Sequence, residues 1–334
     1  MLVSPEEEQT APPVFSVILP THDRAHLLPR AIRSALNQTF RSLELVIVDD
    51  GSADNTAEVV GSFEDERIAY VPQEIRRGVA AATNVGIRRA RGQYIAFLGS
   101  DDEYLPEFLS IMQHALGTAP GEVGFAWCGI RQVEDGPDEE HIRREVIWSK
   151  PGFDSGRDAQ RWLLRKGPGT GYLVVRARCF EQMGLFDEQL QSAVDLDLII
   201  RLAQHFDYRV VPQVLVVVHQ SLGSQVSHPG LVRAQAYSRI AGKHNRFLRQ
   251  HPFLLIQLHT QAAVWSYQAG DKALARRETL RSLRLSPFRW RFGWRIPLYF
   301  ELFGEPLPPV WRGAAAGIRH YVRWLIERVP KRPK

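Results

Sequence analysis

Two short apolar segments of the chain each lead into a pair of aspartates. Residues 43–48 are followed by aspartates at 49 and 50, and residues 94–98, after two small residues, by aspartates at 101 and 102. If both segments are parallel strands, their carboxyl ends lie at one edge of a sheet, where open sheets bind ligands. Carboxylates gathered there repel one another unless a cation or a hydrogen-bonding ligand is present. The pattern therefore predicts a ligand site at this edge.

Apolar segments and helical patterns alternate along the first part of the chain. Strands are predicted at residues 14–19, 43–48, 68–71 and 94–98, with amphipathic helices between them. Such alternation is typical of βαβ units, so the predicted fold class is α/β, with a mostly parallel central sheet flanked by helices. Neither standard Gly-rich phosphate-binding pattern is present, which argues against a P-loop NTPase and a classical dinucleotide enzyme.

The aspartates after the fourth predicted strand are candidate metal ligands. Asp101 and Asp102 offer hard oxygen ligands, which suit Mg²⁺ or Mn²⁺, and these cations bridge phosphate oxygens. Taken alone, an acidic turn that caps the next helix is the simpler interpretation. The second acidic pair at the same predicted edge favours a nucleotide–metal site instead.

Four segments, in this order, resemble the inverting family-2 glycosyltransferases. They read FSVILPTHDRAHLLPRAIRSALNQTF, ELVIVDDGSADNT, RRGVAAATNVGIRRARGQYIAFLGSDDEYLP and FDEQLQSAVDLDLIIRLA. The resemblance extends from about Phe15 to about Ser227, and the ordered set is far more specific than any one segment. It implies the GT-A fold, in which a Rossmann-like nucleotide half is merged with an acceptor half.

The resemblance also implies roles for individual residues. Asp50 would accept a hydrogen bond from the base or ribose of a nucleotide-sugar donor, UDP-linked or other. Asp101 and Asp102, with His219, would hold Mg²⁺ or Mn²⁺ at the diphosphate. The full donor-binding set that it implies is Pro20, Thr21, Asp23, Asp50, Gly78, Asn84 and Asp101.

The resemblance also implies that Asp195 is the catalytic base. It lies at the start of a predicted helix over residues 193–204, and a general base there would take the proton of an acceptor hydroxyl. Helix capping is the alternative, because a carboxylate in the first turn is favoured by the helix dipole. Asp197 and Arg201, four residues apart on this helix, are interpreted as an exposed or half-buried ion pair.

The sequence departs from the family pattern at three positions that concern the metal and the base. Gly99 replaces the first acid of the usual Asp-x-Asp metal motif, and Val194 replaces the glutamate that commonly precedes the base. The family's metal-facing histidine would fall at Leu222, so His219 is the substitute through a shifted loop. A strand-end histidine satisfied by the backbone is the alternative for His219. These changes predict weak metal dependence.

Three regions are predicted along the chain. Residues 1–13 form a disordered leader, residues 14–228 the GT-A domain and residues 229–334 a basic helical C-terminal extension. Within this extension, two helices around Ala269-Gly270-Asp271 resemble a single tetratricopeptide-like pair, and a further helix is predicted at 313–329. The two cysteines, Cys128 and Cys179, are predicted to be buried thiols, which favours a reducing compartment.

Charge is distributed unevenly along the chain. Residues 271–334 contain 15 Lys and Arg against 5 Asp and Glu, a net charge of +10, whereas residues 1–270 carry −5. A basic, aromatic C-terminal region suits an anionic membrane surface better than nucleic acid, for which no recognition motif is present. A helical cap packed on the catalytic domain is the structural alternative. The expected location is cytoplasmic, with possible peripheral attachment to the inner face of the membrane.

These observations predict an inverting glycosyltransferase acting on a glycan or lipid-linked acceptor in surface polysaccharide or glycolipid synthesis. A degenerate protein that binds a nucleotide sugar or a partner is one alternative, and Gly99 and Val194 favour it. Nucleotidyl transfer on a similar sheet is the other alternative, and it would release pyrophosphate instead of a nucleoside diphosphate.

Overall fold

The computed structural model describes residues 12–135, 140–146, 160, 163–164, 169–221 and 230–285. These residues fall into two compact units, the first within Met1–Leu190 and Val194–Val226 and the second within Gln191–Ala193 and Ser227–Lys334. The predicted leader, the predicted helix at 313–329 and the border at 228 lie outside the described residues. The three-region division therefore stays a prediction.

The first unit is built on a single nine-stranded sheet. Its order is β3-β2-β1-β4-β8-β6-β9-β5, with β7 paired to β6. The strands are β1 (Phe15–Thr21), β2 (Leu43–Asp49), β3 (Ile68–Pro72), β4 (Tyr94–Phe97), β5 (Glu103–Tyr104), β6 (Val123–Asp135), β7 (Glu140–Val146), β8 (Leu173–Arg176) and β9 (Asp207–Ser221).

Strands β1 to β4 are mutually parallel, as predicted, whereas the rest of the sheet is mixed. β8 runs antiparallel to both β4 and β6, and β5 runs antiparallel to β9. β7 pairs antiparallel with β6 over Ile130–Asp135, with a register shift between Gln132 and Val133.

Helices connect the parallel strands and cover the sheet. In this unit they are α1 (Leu28–Leu36), α2 (Thr56–Gly61), α3 (Val79–Arg89), α4 (Phe108–Gly117), α5 (Arg178–Met183) and α6 (Val194–His205), with a 3₁₀ turn at Thr170–Tyr172. α3 lies close against β1, where a Cβ on Gly86 would collide with the Ile18 side chain. The run of small residues in α3 therefore lets helix and sheet approach closely.

The core of the first unit lies between the sheet and these helices. Phe15, Leu45 and Ile32 are fully buried, and Trp127 is among the largest buried side chains. Cys128 and Cys179 are buried free thiols, as predicted. The α/β fold class, with a Rossmann-like half, is therefore confirmed.

The second unit is helical in its described part. It contains α7 (Gly230–Lys243), α8 (Asn245–Leu248), α9 (Pro252–Gln268) and α10 (Lys272–Leu285). α9 and α10 are the predicted helix pair, joined by a short turn in which Gly270 has a φ of 86°. No helix in the described residues is long and apolar enough to cross a membrane.

Candidate functional site

The turn after β1 is tied to the turn after β2 through Asp23. The backbone of Asp23 is left-handed, with a φ of 50°, a conformation that Asp and Asn tolerate better than most residues. Its Oδ1 accepts a hydrogen bond from the Ala53 amide at 2.7 Å, and its own amide donates to Ser52 Oγ at 2.9 Å. The predicted nucleotide loop therefore has a fixed backbone.

Thr21 ends β1 directly beside this turn and follows Pro20, which pairs with Val48 of β2. Its side chain is buried, yet Oγ1 has no hydrogen-bond partner among the residues that the structure describes. A buried hydroxyl left unpaired costs about 1–3 kcal/mol, so such groups generally have a partner in the working state. A ligand in the crevice at the end of β1 would supply one.

Asp50 fixes the loop that precedes α3. Its two carboxylate oxygens accept hydrogen bonds from the backbone amides of Arg77, at 2.8 Å, and Gly78, at 2.7 Å. Gly78 has a φ of 94°, which favours glycine, and the position of its missing Cβ faces open space. Asp50 thus holds Gly78 at the sheet edge, and any contact between Asp50 and a base or ribose must use the remaining lone pairs.

Asn84, which was predicted to bind the donor, makes its hydrogen bonds to Phe186 and Glu188 of the segment before α6. The buried side chain donates from Nδ2 to the Phe186 carbonyl at 3.0 Å and to Glu188 Oε1 at 2.9 Å. Its Oδ1 accepts from the Phe186 amide at 2.8 Å. Both amide hydrogens are therefore used within the protein, and the contact of Asn84 with diphosphate or sugar stays a prediction.

Glu188 extends this connection to the loop held by Asp50. Its Oε2 pairs with Arg77 Nη2 at 2.8 Å, and its Oε1 lies 3.6 Å from Arg88 Nη2. The Asn84 hydrogen bond, followed by the charges of the two arginines, lowers the pKa of Glu188. An ionised Glu188 therefore joins the donor-side loop to the segment that leads into α6.

Asp101 and Asp102 lie side by side in the turn after β4, beneath Gly99. A Cβ at Gly99 would lie 2.8 Å from Asp102 Oδ2 and 3.0 Å from Asp101 Oδ1. Because Gly99 has no side chain, both carboxylates occupy the space that a side chain at this position would fill. Burial and the neighbouring charge of Asp101 raise the pKa of Asp102 to about 7, against the opposing effect of the His219 amide.

Two arginines neutralise this acidic turn. Arg24 Nη1 lies 2.9 Å from Asp101 Oδ2 and 3.3 Å from Ser100 Oγ. Arg30 Nη2 donates to the Asp101 carbonyl at 2.8 Å. Arg24 also links the turn after β1 to the turn after β4, so the predicted nucleotide loop is in direct contact with the predicted metal acids.

His219 approaches the acidic turn through its backbone. Its amide donates to Asp102 Oδ1 at 3.1 Å, whereas its imidazole Nε2 lies 3.0 Å from Glu103 Oε1. The ring is buried, and Leu222, the position at which the family histidine would fall, lies outside the described residues. The role of His219 as a metal ligand therefore stays a prediction, while its backbone supports a predicted metal acid.

Asp195 occupies the first turn of α6, as expected. The residue retains some solvent exposure, yet desolvation by the surrounding protein raises the pKa of its carboxyl. On the same helix, Asp197 is fully buried and accepts a hydrogen bond from Arg201 Nε at 2.9 Å. The predicted ion pair is thus present, and it is buried, since Arg201 also donates to the carbonyls of Met183 and Gly184.

Tyr172 lies in the 3₁₀ turn next to the acidic turn, because a Cβ on the neighbouring Gly171 would lie 3.5 Å from Asp102 Oδ2. Burial, followed by the charges of Asp195, Cys128 and Asp102, raises the pKa of Tyr172 despite a hydrogen bond from the Gly169 amide to its hydroxyl. The charges of Asp195 and Asp102 therefore both act on this tyrosine.

For most of these interacting pairs, the sequence predicted one residue but not its partner. Arg24, Glu188 and Tyr172 were not among the candidates, because their partners are distant in sequence. Arg24 and Asp101 are 77 positions apart, and Asn84 and Glu188 are 104 apart. The one available signal was the Arg that directly follows Asp23 in the first motif.

These residues could hold a divalent cation together with the phosphate oxygens of a ligand. Among the described residues, no group of three or more His, Cys, Asp and Glu side chains could hold a metal ion by itself. Mg²⁺, however, is usually bound by one or two carboxylates together with substrate phosphates. The crowded carboxylates of Asp101 and Asp102 match that arrangement, with a diphosphate supplying the other oxygens.

The chain is similar to known glycosyltransferases. A family profile described as Glycosyl transferase family 2 matches residues 16–180. The validoxylamine A glucosyltransferase of Streptomyces hygroscopicus subsp. jinggangensis is 32% identical over 275 residues, covering 74% of this chain and 63% of the relative. The GalNAc(5)-diNAcBac-PP-undecaprenol beta-1,3-glucosyltransferase of Campylobacter jejuni is 42% identical over 179 residues, covering 53% of this chain and 56% of the relative.

The fold is similar to that of a solved transferase. S. aureus TarS in complex with UDP-GlcNAc superposes with a TM-score of 0.63 at 15% identity, covering 94% of this chain and 91% of the other. That identity supports the GT-A fold alone. The chain spans 63–64% of the length of the first curated relatives that it matches. The similarity to family-2 glycosyltransferases that the sequence motifs indicated is therefore found over residues 16–180.

Proposed function

We propose that the chain is a glycosyltransferase that moves a sugar from a nucleotide-sugar donor to an acceptor hydroxyl with inversion. The observation that carries the proposal is the acidic turn after β4, where Asp101 meets Arg24 of the turn after β1 at 2.9 Å and Asp102 accepts a hydrogen bond from the His219 amide. In the proposal the donor diphosphate lies at this turn, and Asp195 faces it across the acceptor hydroxyl. A base on one side and a leaving group on the other is the arrangement that direct displacement needs.

The donor would lie along the sheet edge that the turns after β1, β2 and β4 form. The nucleotide would be bound near Thr21 and Asp23, where the Thr21 hydroxyl needs a partner. The diphosphate would lie between Gly78 and the Asp101–Asp102 turn, with Mg²⁺ or Mn²⁺ on these two carboxylates. When bound, such a cation supplies positive charge to the departing nucleoside diphosphate.

Asp195 would accept the proton of the acceptor hydroxyl as its oxygen attacks the anomeric carbon. The carbon–diphosphate bond breaks on the opposite face, so a single displacement inverts the configuration and needs no covalent sugar–enzyme intermediate. The raised pKa of Asp195 suits this role, because it makes the carboxylate more basic than an ordinary aspartate. Asp195 should come within about 3 Å of the acceptor oxygen in a productive complex.

The acceptor that we propose is a glycan or a lipid-linked saccharide at the inner face of the membrane. The name of the C. jejuni relative includes GalNAc(5)-diNAcBac-PP-undecaprenol, whereas that of the S. hygroscopicus relative includes validoxylamine A. Charge supports the membrane side, since Lys272 and Arg284 are exposed on α10. Basic residues at an anionic surface contribute about 1 kcal/mol each.

Turnover with purified nucleotide sugars tests the proposal. UDP- and GDP-sugars are offered with lipid-linked and soluble acceptors, and the released nucleotide is identified by chromatography. Asp195→Asn should lower kcat by about a thousandfold while donor binding stays near wild type, because the amide keeps the shape of the side chain but not its basicity. Release of pyrophosphate would show nucleotidyl transfer instead.

A degenerate binding protein is the second candidate, and Gly99 is the observation that favours it. The space left at Gly99 is taken by Asp102 and Asp101, so the loss of the usual acid has been accommodated in the packing. Binding of a nucleotide sugar without turnover for any donor–acceptor pair would support this candidate. Equal turnover of wild type and Asp195→Asn would remove Asp195 from catalysis.

A further inference from the structure

Arg24 holds a guanidinium against the turn where the donor diphosphate is proposed to bind. Its Nη1 contacts Asp101 Oδ2 at 2.9 Å and Ser100 Oγ at 3.3 Å. Arg24 and Asp101 are 17% and 19% exposed at their side chains, so the pair is largely shielded but still reachable from the crevice. Because both side chains are mostly buried, we treat their contact as part of the site.

The backbone that carries Arg24 is held from both sides. The preceding Asp23 is tied to Ser52 and Ala53, and the amide of the following Ala25 donates to Asp54 Oδ2 at 2.9 Å. The Arg24 carbonyl accepts from the amides of Leu27 and Leu28 at 3.0 and 3.1 Å. The Arg24 side chain can therefore change partners while its Cα stays in place at the end of β1.

Two guanidiniums already face the acidic turn without a metal ion. Asp101 and Asp102 contribute two carboxylates, and Arg24 and Arg30 bring two guanidiniums to the same turn. At Gly99 a third acid is missing, and a side chain there would meet both carboxylates. A family member with that acid would be more dependent on an external cation, because one further negative charge would need a partner.

We propose that Arg24 is a donor-binding residue that exchanges Asp101 for an oxygen of the donor diphosphate. The inference rests on the proposed function, since it requires a nucleotide sugar in this crevice. A guanidinium presents a planar set of donors that matches phosphate oxygens, and charge-assisted hydrogen bonds of this kind are the strong ones. A divalent cation bound to Asp101 would weaken the Arg24–Asp101 attraction and so release Arg24 towards the diphosphate.

The exchange predicts that part of the affinity for a nucleoside diphosphate survives without metal. In the metal-free protein the diphosphate still gains the Arg24 guanidinium, although Asp101 must give up its partner. If Arg24 instead only fills the empty site, its removal should open the crevice and strengthen nucleotide binding. The two roles of Arg24 therefore predict changes of opposite sign in nucleotide affinity.

Calorimetric titration of the purified full chain with UDP, GDP and the corresponding nucleosides tests the proposal, in Mn²⁺ and in excess chelator. Arg24→Met should weaken nucleoside diphosphate binding at least tenfold in Mn²⁺, where the cation on Asp101 has released Arg24, and less in chelator, where Arg24 must first leave Asp101. Binding of the nucleosides should not change, because they lack the diphosphate. Arg24→Lys should lie between wild type and Arg24→Met. Arg33→Met is the matched control, since Arg33 also belongs to the α1 region but lies over the Phe63 ring.

Three outcomes would overturn the proposal. Diphosphate binding by Arg24→Met as tight as that of wild type would exclude the contact, and tighter binding would show that Arg24 blocks the site. An equal loss of nucleoside and nucleoside diphosphate affinity would assign Arg24 a structural role. If wild type binds nucleotides while Arg24→Met matches it, only this inference fails. If wild type binds no nucleotide with or without Mn²⁺, the proposed function fails with it.

Discussion

The amide of Asn84 donates a 2.9 Å hydrogen bond to Glu188, and this contact joins two parts of the chain with different tasks. Asn84 belongs to α3, whose first residues lie beside Gly78 at the sheet edge. Glu188 belongs to the segment before α6, the helix that carries Asp195. Because Glu188 also pairs with Arg77, the same carboxylate links the donor-side loop to the approach of the candidate base. Asn84 is thus better explained as a positioning residue than as a sugar ligand.

Asn84→Ala should therefore act first on stability. The substitution leaves the buried amide and carbonyl of Phe186 without partners, at a cost of about 2 kcal/mol, and it loosens Glu188. Thermal unfolding should show a lower Tm, while the Kd for nucleoside diphosphate changes less than threefold. Thr83→Ala is the control, because its hydroxyl bonds only to the Val79 carbonyl of its own helix. A large loss of donor affinity at unchanged Tm would instead support direct contact with the donor.

The fall in kcat/KM at low pH should reflect protonation of Asp195. A base must be ionised to accept a proton, and desolvation raises the pKa of Asp195 above the ordinary value of 3.8. As pH falls through this raised pKa the carboxylate becomes protonated, so kcat/KM should fall at a higher pH than an ordinary aspartate would produce. The measurement is kcat/KM against pH at saturating metal. Asp195→Glu, if active, should shift this fall, and an unshifted fall would assign it to another group.

Asp195→Asn should also stabilise the protein at neutral pH. A group whose pKa is raised in the folded state contributes stability below its unfolded pKa and loses it as pH rises through the folded value. At neutral pH the ionised Asp195 therefore lowers the free energy of unfolding, and the neutral amide of Asn removes this destabilisation. Tm measured at pH 7 and at pH 4 should show the gain at pH 7 only. A lower Tm at pH 7 would indicate that the carboxylate has a helix-capping role instead.

The sequence predicted those parts of the fold that depend on the local periodicity of apolar residues. The strands that lead to the two aspartate pairs are mostly apolar, with Glu44 as the one charged residue before Asp49 in β2, and their buried environment in β2 and β4 agrees with that pattern. The partners of the polar side chains were not predictable in this way. Asp50 was expected to meet a nucleotide, yet its oxygens bond to backbone amides 27 and 28 positions later. A local pattern indicates which side chains are acidic, but not which amide the folded chain brings to them.

Gly99→Asp should strengthen metal binding at a cost in local packing. The added carboxylate supplies the acid that the family motif usually has, and a further charged oxygen ligand raises affinity for a hard cation. Asp102 must turn aside, because a Cβ at position 99 would lie 2.8 Å from its Oδ2. Titration of Mn²⁺ by electron paramagnetic resonance in the presence of UDP or GDP should show millimolar affinity for wild type and at least tenfold tighter binding for Gly99→Asp. Gly99→Ala controls for the displacement of Asp102 alone, and equal Mn²⁺ affinity of all three proteins would show that these carboxylates do not bind the cation.

A buried carboxylate organises the described helices of the second unit. Glu278 on α10 is fully buried and accepts hydrogen bonds from Ser238 Oγ at 2.9 Å and Arg281 Nη1 at 2.9 Å. Its Oε2 lies 2.6 Å from His259 Nδ1, and Arg277 Nε is 3.1 Å from Oε1. Burial opposes ionisation, but the His259 hydrogen bond and charge and the other donors outweigh it and lower the pKa of Glu278. The carboxylate thus connects α7, α9 and α10.

Glu278→Gln should destabilise this unit by about 2 kcal/mol. The estimate lies below that for a fully buried ion pair because the two arginines are about half exposed and regain water when the charge is lost. Since the folded pKa is lowered, the contribution of Glu278 is present above its unfolded pKa, near 4.5, and is lost as pH falls through the folded value. Hydrogen exchange followed by mass spectrometry should show faster exchange in α7, α9 and α10 for Glu278→Gln at pH 7. The exposed Glu64→Gln in the first unit should leave exchange unchanged. If Glu278→Gln exchanges as slowly as wild type in all three helices, hydrophobic packing alone holds them and the carboxylate is dispensable for stability.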